Sequence, residues 1–125
     1  MPENKNTLPP VQIHFSVNFP VETRCSTSEE EPAIVEITKV EYSFEENAKK
    51  YDVTFFISGI KSFSVSDDDQ ECFIRWCLKK YGTETVVANG MCGTGNIEMG
   101  ERFDEKESVV RGVPEGVYTF EIIYV

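Results

Sequence analysis

Histidine is almost missing from this chain: His14 is the only one in 125 residues. A hydrolytic triad needs a base beside its nucleophile, and thiol catalysis by a cysteine needs the same imidazole. His14 falls on the polar side of an alternating segment, where a solvated residue is expected and no orienting partner is evident. The sequence also has no CxxC pair among its four cysteines, Cys25, Cys72, Cys77 and Cys92. One histidine without CxxC spacing does not make a structural zinc site. If residues 72–78 form a strand, Cys72 and Cys77 face opposite sides and do not pair with each other. Four free thiols, buried or half-buried, are therefore expected, which leans towards a reducing compartment. Cys92 lies in a glycine-rich stretch, and exposure is the alternative for it. An ordinary loop cysteine is its simplest reading and a reactive thiol the alternative. No Asn-x-Ser/Thr sequon occurs.

Positive charge is scarce too. Twelve Lys and Arg stand against 22 Asp and Glu, a net charge of −10, with a pI near 4.5. Binding to a nucleic-acid backbone needs clustered cations, so nucleic acid is not an expected partner, nor is an anionic membrane. The balance permits a basic partner, calcium or simple solubility. No apolar run is long enough to span a bilayer, and the first ten residues have no apolar core of the secretory kind. Residues 1–10 (MPENKNTLPP) read as a flexible leader and 11–125 as a single domain. The expected compartment is the cytoplasm if the chain is complete, and the cell surface if it is a piece of a larger envelope protein.

Aromatic residues, by contrast, are plentiful: nine Phe, five Tyr and one Trp within a 40% hydrophobic composition. Large rings pack well on a pleated surface and favour sheet. In the last 17 residues, VVRGVPEGVYTFEIIYV, Tyr118, Phe120, Ile122 and Tyr124 share one parity. Pro114-Glu115-Gly116 supplies the turn before that strand. Residues 11–21 alternate in the same way and predict a strand ending at Pro20, with 22–32 as a polar loop. Residues 34–44 change phase near Thr38 and Lys39, which predicts a bulge or two short strands. Residues 45–50 read as a turn. Residues 51–60 predict a third strand, with Gly59 as its end or a bulge, and Phe63 and Val65 as a short continuation. Residues 89–100 read as glycine-rich loop, 101–106 as polar, and 108–111 as a short strand.

Residues 66–82 carry two conflicting signals. Ser66 followed by Asp67, Asp68 and Asp69 fits a helix N-terminus, and Phe73, Cys77 and Tyr81 are spaced by four. Ile74, Trp76 and Leu78 alternate as a strand that turns at Tyr81-Gly82-Thr83-Glu84 into residues 85–88. Short apolar runs do not settle the choice. Strand is the reading taken here, so the expected class is all-β, an antiparallel sandwich. The alternative is α+β with one helix at about 67–81.

Residues 73–90 (FIRWCLKKYGTETVVANG) and 100–122 (GERFDEKESVVRGVPEGVYTFEI) together resemble the second half of small bacterial immunoglobulin-like modules. There a Trp-bearing strand turns back through a hairpin, and the domain closes with a proline-glycine turn and a Tyr-x-Phe-x-Ile strand. The resemblance spans roughly residues 34–125. It implies an immunoglobulin-like β-sandwich with Trp76 in the core and Tyr118 near the corner before the last strand. It also implies a non-catalytic spacer or binding module. The strand at 11–21 and the lack of a recognisable intersheet cysteine pair depart from that pattern.

Gly93-Thr94-Gly95 looks like the start of a dinucleotide fingerprint, but the third glycine and the following helix are missing. Two acidic clusters, Glu29-Glu30-Glu31 and Asp67-Asp68-Asp69, are the candidate calcium ligands. Calcium takes six to eight oxygens, so loops would have to gather them, and solvated charge is the simpler reading. The first strand is expected to pair within the domain, or to exchange into a neighbour as a dimer. The functional expectation is a non-catalytic interaction or spacer module with a protein partner and no cofactor. One alternative is an intracellular acidic protein that binds and blocks a basic partner, in the manner of a nucleic-acid mimic. The other is a calcium-dependent binding domain.

Overall fold

The structure, a computed structural model, describes residues 8–27, 33–65 and 69–123. Among them the protein is all-β, with eight strands and no helix. These are β1 (Val11–Phe15), β2 (Val21–Thr27), β3 (Ala33–Asn47), β4 (Lys50–Ser64), β5 (Gln70–Lys80), β6 (Val86–Ile97), β7 (Arg102–Val113) and β8 (Gly116–Ile122). They form one open sheet in the order β1-β8-β5-β2-β3-β4-β7, with β6 on the other edge of β5. β1 runs parallel to β8, and the other neighbours are antiparallel. The N-terminal strand thus pairs within its own chain.

The sheet is strongly curled. β4 lies three places from β5, by way of β3 and β2, which in a flat sheet is a separation of roughly 14 Å. Yet the rings of Phe55 on β4 and Trp76 on β5 have centroids 5.7 Å apart. Phe120 on β8 stands 4.3 Å from Phe55 and 5.5 Å from Trp76. The three rings form the centre of the core, with Val35, Ile37, Ile57, Ile74 and Leu78 buried around them. Curling also brings β6 to β7, where the Trp76 indole N–H donates to Ser108 Oγ at 3.0 Å. At the last turn, Tyr118 Oη donates to the Pro114 carbonyl at 2.6 Å.

Several expectations change. The segment 11–21 is not one strand: β1 stops at Phe15, and a second strand begins at Val21. The polar stretch 22–32 is not all loop, because β2 runs to Thr27, and residues 28–32 lie outside the described ones. Its buried face is Thr23, Cys25 and Thr27, small side chains that a hydrophobicity pattern passes over. Thr23 Oγ1 donates to the Ile123 carbonyl at 3.1 Å, so that hydroxyl is satisfied inside.

A helix at 67–81 does not form over the described residues, since 70–80 is β5. β5 is hydrogen-bonded to β6 on one side and to β2 and β8 on the other. Ladder bonds on both edges outweigh the local helical spacing. The glycine-rich segment 89–97 is strand rather than loop. The polar 101–106 and the short strand 108–111 merge into one strand, with Glu105 at φ 48 absorbing an irregularity.

The phase change in β3 is a register shift between Ile37 and Lys39 against β4. Gly59 stands at a second shift, between Ile57 and Gly59 against β7. A Cβ at Gly59 would run into the Glu36 carbonyl, so the strands approach closely only because a glycine is there. No helix of the described residues is long and apolar enough to cross a membrane.

Candidate functional site

Of the candidate calcium ligands, Glu29, Glu30, Glu31, Asp67 and Asp68 lie outside the described residues. Asp69 is exposed and close to Glu98, whose carboxyl it pushes above the ordinary range by like-charge repulsion and hydrogen bonding. Among the described residues no group of three His, Cys, Asp or Glu side chains is placed to hold a metal ion. His14 is exposed, its ring 4.6 Å from that of Tyr81.

All four cysteines are free and buried. Cys92 is therefore buried like the others, not exposed by its glycine-rich surroundings. It is 1% exposed, with Sγ 3.6 Å from the Lys106 carbonyl oxygen. Burial pushes its thiol up to about 11, and it stays protonated at neutral pH.

The glycines around it serve their neighbours on β5. Gly90 is in register with Trp76, and Gly93 leaves room for the Glu71 carboxylate. The Gly95 N–H donates to Glu71 Oε2 at 3.1 Å, and Thr94 Oγ1 accepts from the Cys72 N–H at 3.1 Å. The groups that a phosphate would need are thus engaged within the sheet.

Two places gather chemistry. The first is on the outer side of β5 and β6. Register sets Arg75 opposite Met91 and Cys77 opposite Asn89. With Val86 and Ile123 they line an open depression of about 550 Å³. Met91 is 56% exposed and Val86 49%, both large apolar side chains facing water. Arg75 is exposed and makes no ion pair among the described residues. Lys79, two outward positions along, is held by Glu84 at 2.8 Å and Glu121 at 3.1 Å, which raise its ammonium above the ordinary range. Arg75 is thus the available cation beside an apolar surface. That combination suits a partner offering a carboxylate next to an apolar side chain.

The second place is inside. Lys61 is fully buried, and its ammonium donates to the Ile97 carbonyl at 3.0 Å. Its charge acts on the thiols of Cys25 and Cys72, which share the inward face across the β2–β5 ladder. The sequence carried a signal for Lys61 that went unread: it continues the inward parity of Val53, Phe55, Ile57 and Gly59. A lysine in phase with a core stripe is a buried charge in prospect.

Comparison with protein-family models, with curated proteins and with solved structures returned no match to this chain.

Proposed function

We propose that this protein is a non-catalytic, immunoglobulin-like interaction module that binds a protein partner through the outer side of β5 and β6. The observation carrying this reading is the depression in which exposed Met91 and Val86 flank the unpaired Arg75. Exposed apolar groups rimmed by polar ones mark contact surfaces, and Arg and Met are favoured there. The buried Trp76 between Phe55 and Phe120, and the Tyr118–Pro114 bond at the last turn, support the immunoglobulin-like description. The non-catalytic reading is supported by where the nucleophiles lie: the thiols are inside, and the imidazole is outside against Tyr81.

A photo-crosslinking side chain placed at Met91, and separately at Thr54 on β4, tests the surface in extracts of the native source. The expected result is one discrete adduct from position 91, lost when Val86→Glu is added, and none from position 54. Equal crosslinking from both positions removes the surface from consideration.

A second reading rests on the outer side of β3, β4 and β7. There the register aligns Glu41, Phe56 and Glu107 in one row and Glu45 with Asp52 in another. Lys39 and Arg111 offset Glu41 and Asp52 only in part. An acidic face with an aromatic at its centre favours a basic partner, through ion pairing and cation–π contact. Binding that weakens steeply with salt and fails in Glu107→Lys supports this reading; salt-independent binding excludes it.

A further inference from the structure

Among the described residues β2 and β5 are joined by the shortest ladder in the sheet, Ser26 with Phe73 and Thr27 with Cys72. In the strand order this ladder links the β1-β8-β5 half, with β6, to the β2-β3-β4-β7 half. Cys25 precedes Thr27 by two residues and so shares its face, which places it diagonally across the ladder from Cys72. Both side chains point into the core on the same face, and the Cys25 thiol donates to the Ala33 carbonyl at 3.8 Å.

Lys61 from β4 is buried in the same core, its ammonium bonded to the Ile97 carbonyl and its charge acting on both thiols. The neighbouring Cys25 and the lysine charge hold the Cys72 thiol below its ordinary range. Cys25 is pushed up by its interaction with Cys72 and by burial. Two thiols on one face across a ladder, one of them lowered, with a cationic charge acting on both, are the components of a redox-active pair.

We propose that Cys25 and Cys72 are a redox modification site, closed to an intrachain disulfide by a peroxide. The Cys72 thiolate attacks one peroxide oxygen and the O–O bond breaks. The released hydroxide takes up a proton to give water, and Cys72 becomes a sulfenic acid. The Cys25 sulfur then attacks that sulfur, the S–O bond breaks, and the hydroxyl leaves with the Cys25 proton as a second water. One peroxide is reduced and two thiols are oxidised, two electrons in all. Local opening at this two-pair ladder would give the oxidant its route to the buried pair. The product covalently staples the two halves of the sheet at their shortest junction.

The test treats the native, reduced protein with hydrogen peroxide, removes the excess with catalase, and alkylates the remaining thiols after denaturation. The expected result is two alkylated cysteines, Cys77 and Cys92, and a digest containing one peptide pair joined through Cys25 and Cys72. The thermal midpoint should rise by about 10 °C, reversibly with a reductant, because the bond closes a loop of roughly 50 residues. A map joining any other pair, a disulfide between two chains, or four alkylated thiols overturns the proposal. In Cys25→Ser the Cys72 sulfenic acid should persist and be captured by dimedone; a folded variant that yields no adduct removes Cys72 as the attacked thiol. Should that variant fail to fold, the wild-type map decides alone.

Discussion

Gly90→Ala is a small change with a large expected effect. A Cβ at that position would sit 2.7 Å from Trp76 Cζ2, 3.1 Å from Cε2 and 3.4 Å from Cη2. Carbon atoms prefer about 3.5–4.0 Å, so the indole must move by close to 1 Å. Trp76 has little freedom to do so. It is 3% exposed, packed on Phe120 and Phe55, and its N–H is bonded to Ser108. Overpacking of this kind costs about 1–3 kcal/mol, and a lost indole hydrogen bond adds about 1. Gly90 does not have a positive φ, so alanine fits the backbone and returns about 0.4–1 kcal/mol through the unfolded state.

The net expectation is a loss of about 1–3 kcal/mol, a sizeable part of an ordinary domain's stability of about 5–15. Urea unfolding followed by circular dichroism measures it, with the fluorescence of the single tryptophan as a second probe. In a Trp76→Leu background the clash disappears, and Gly90→Ala should be neutral or stabilising by up to about 1 kcal/mol. Equal destabilisation in both backgrounds would refute the reasoning, because the cost would then not come from the indole.

Three further outcomes are expected. Tyr118→Phe removes the bond to the Pro114 carbonyl and should cost about 0.5–1.5 kcal/mol in the same unfolding assay. Burial raises the Tyr118 phenol, so its contribution is complete below about pH 10 and lost as pH rises through the raised value; the phenylalanine variant should lack that alkaline loss. Cys92, pushed up from 9.0 to about 11, behaves in the same sense, and Cys92→Ala should flatten the fall in stability across that window, read from thermal midpoints at pH 8–11. Asp52 is held below its ordinary value first by the Gly112 N–H, then by the Asn47 side chain and Arg111. Its stabilisation is present above about pH 4 and lost as pH falls through its depressed value, so Asp52→Asn should lower stability at pH 7 and reduce the acid sensitivity of the midpoint.

The sequence by itself determined the class. Alternation at Val11–Phe15, Val53–Ile57 and Tyr118–Ile122 is local, and a period of two needs no partner to be read. The bulges at Thr38–Lys39 and Gly59 were legible for the same reason, as a broken phase and a lone glycine within a strand. What only the tertiary structure decided were the places where a neighbour supplies the reason. Residues 70–80 are strand because three other strands bond to them, and residues 89–97 are strand because Trp76 and Glu71 on β5 fill the space their glycines leave. Thr23 and Thr27 are core residues because the facing surface accepts small polar groups, one of them bonded to Ile123 a hundred residues away. Arg75 with Met91, and Cys25 with Cys72 and Lys61, are distant in the chain. Cross-strand register and the curl of the sheet bring them together, and no local pattern encodes either.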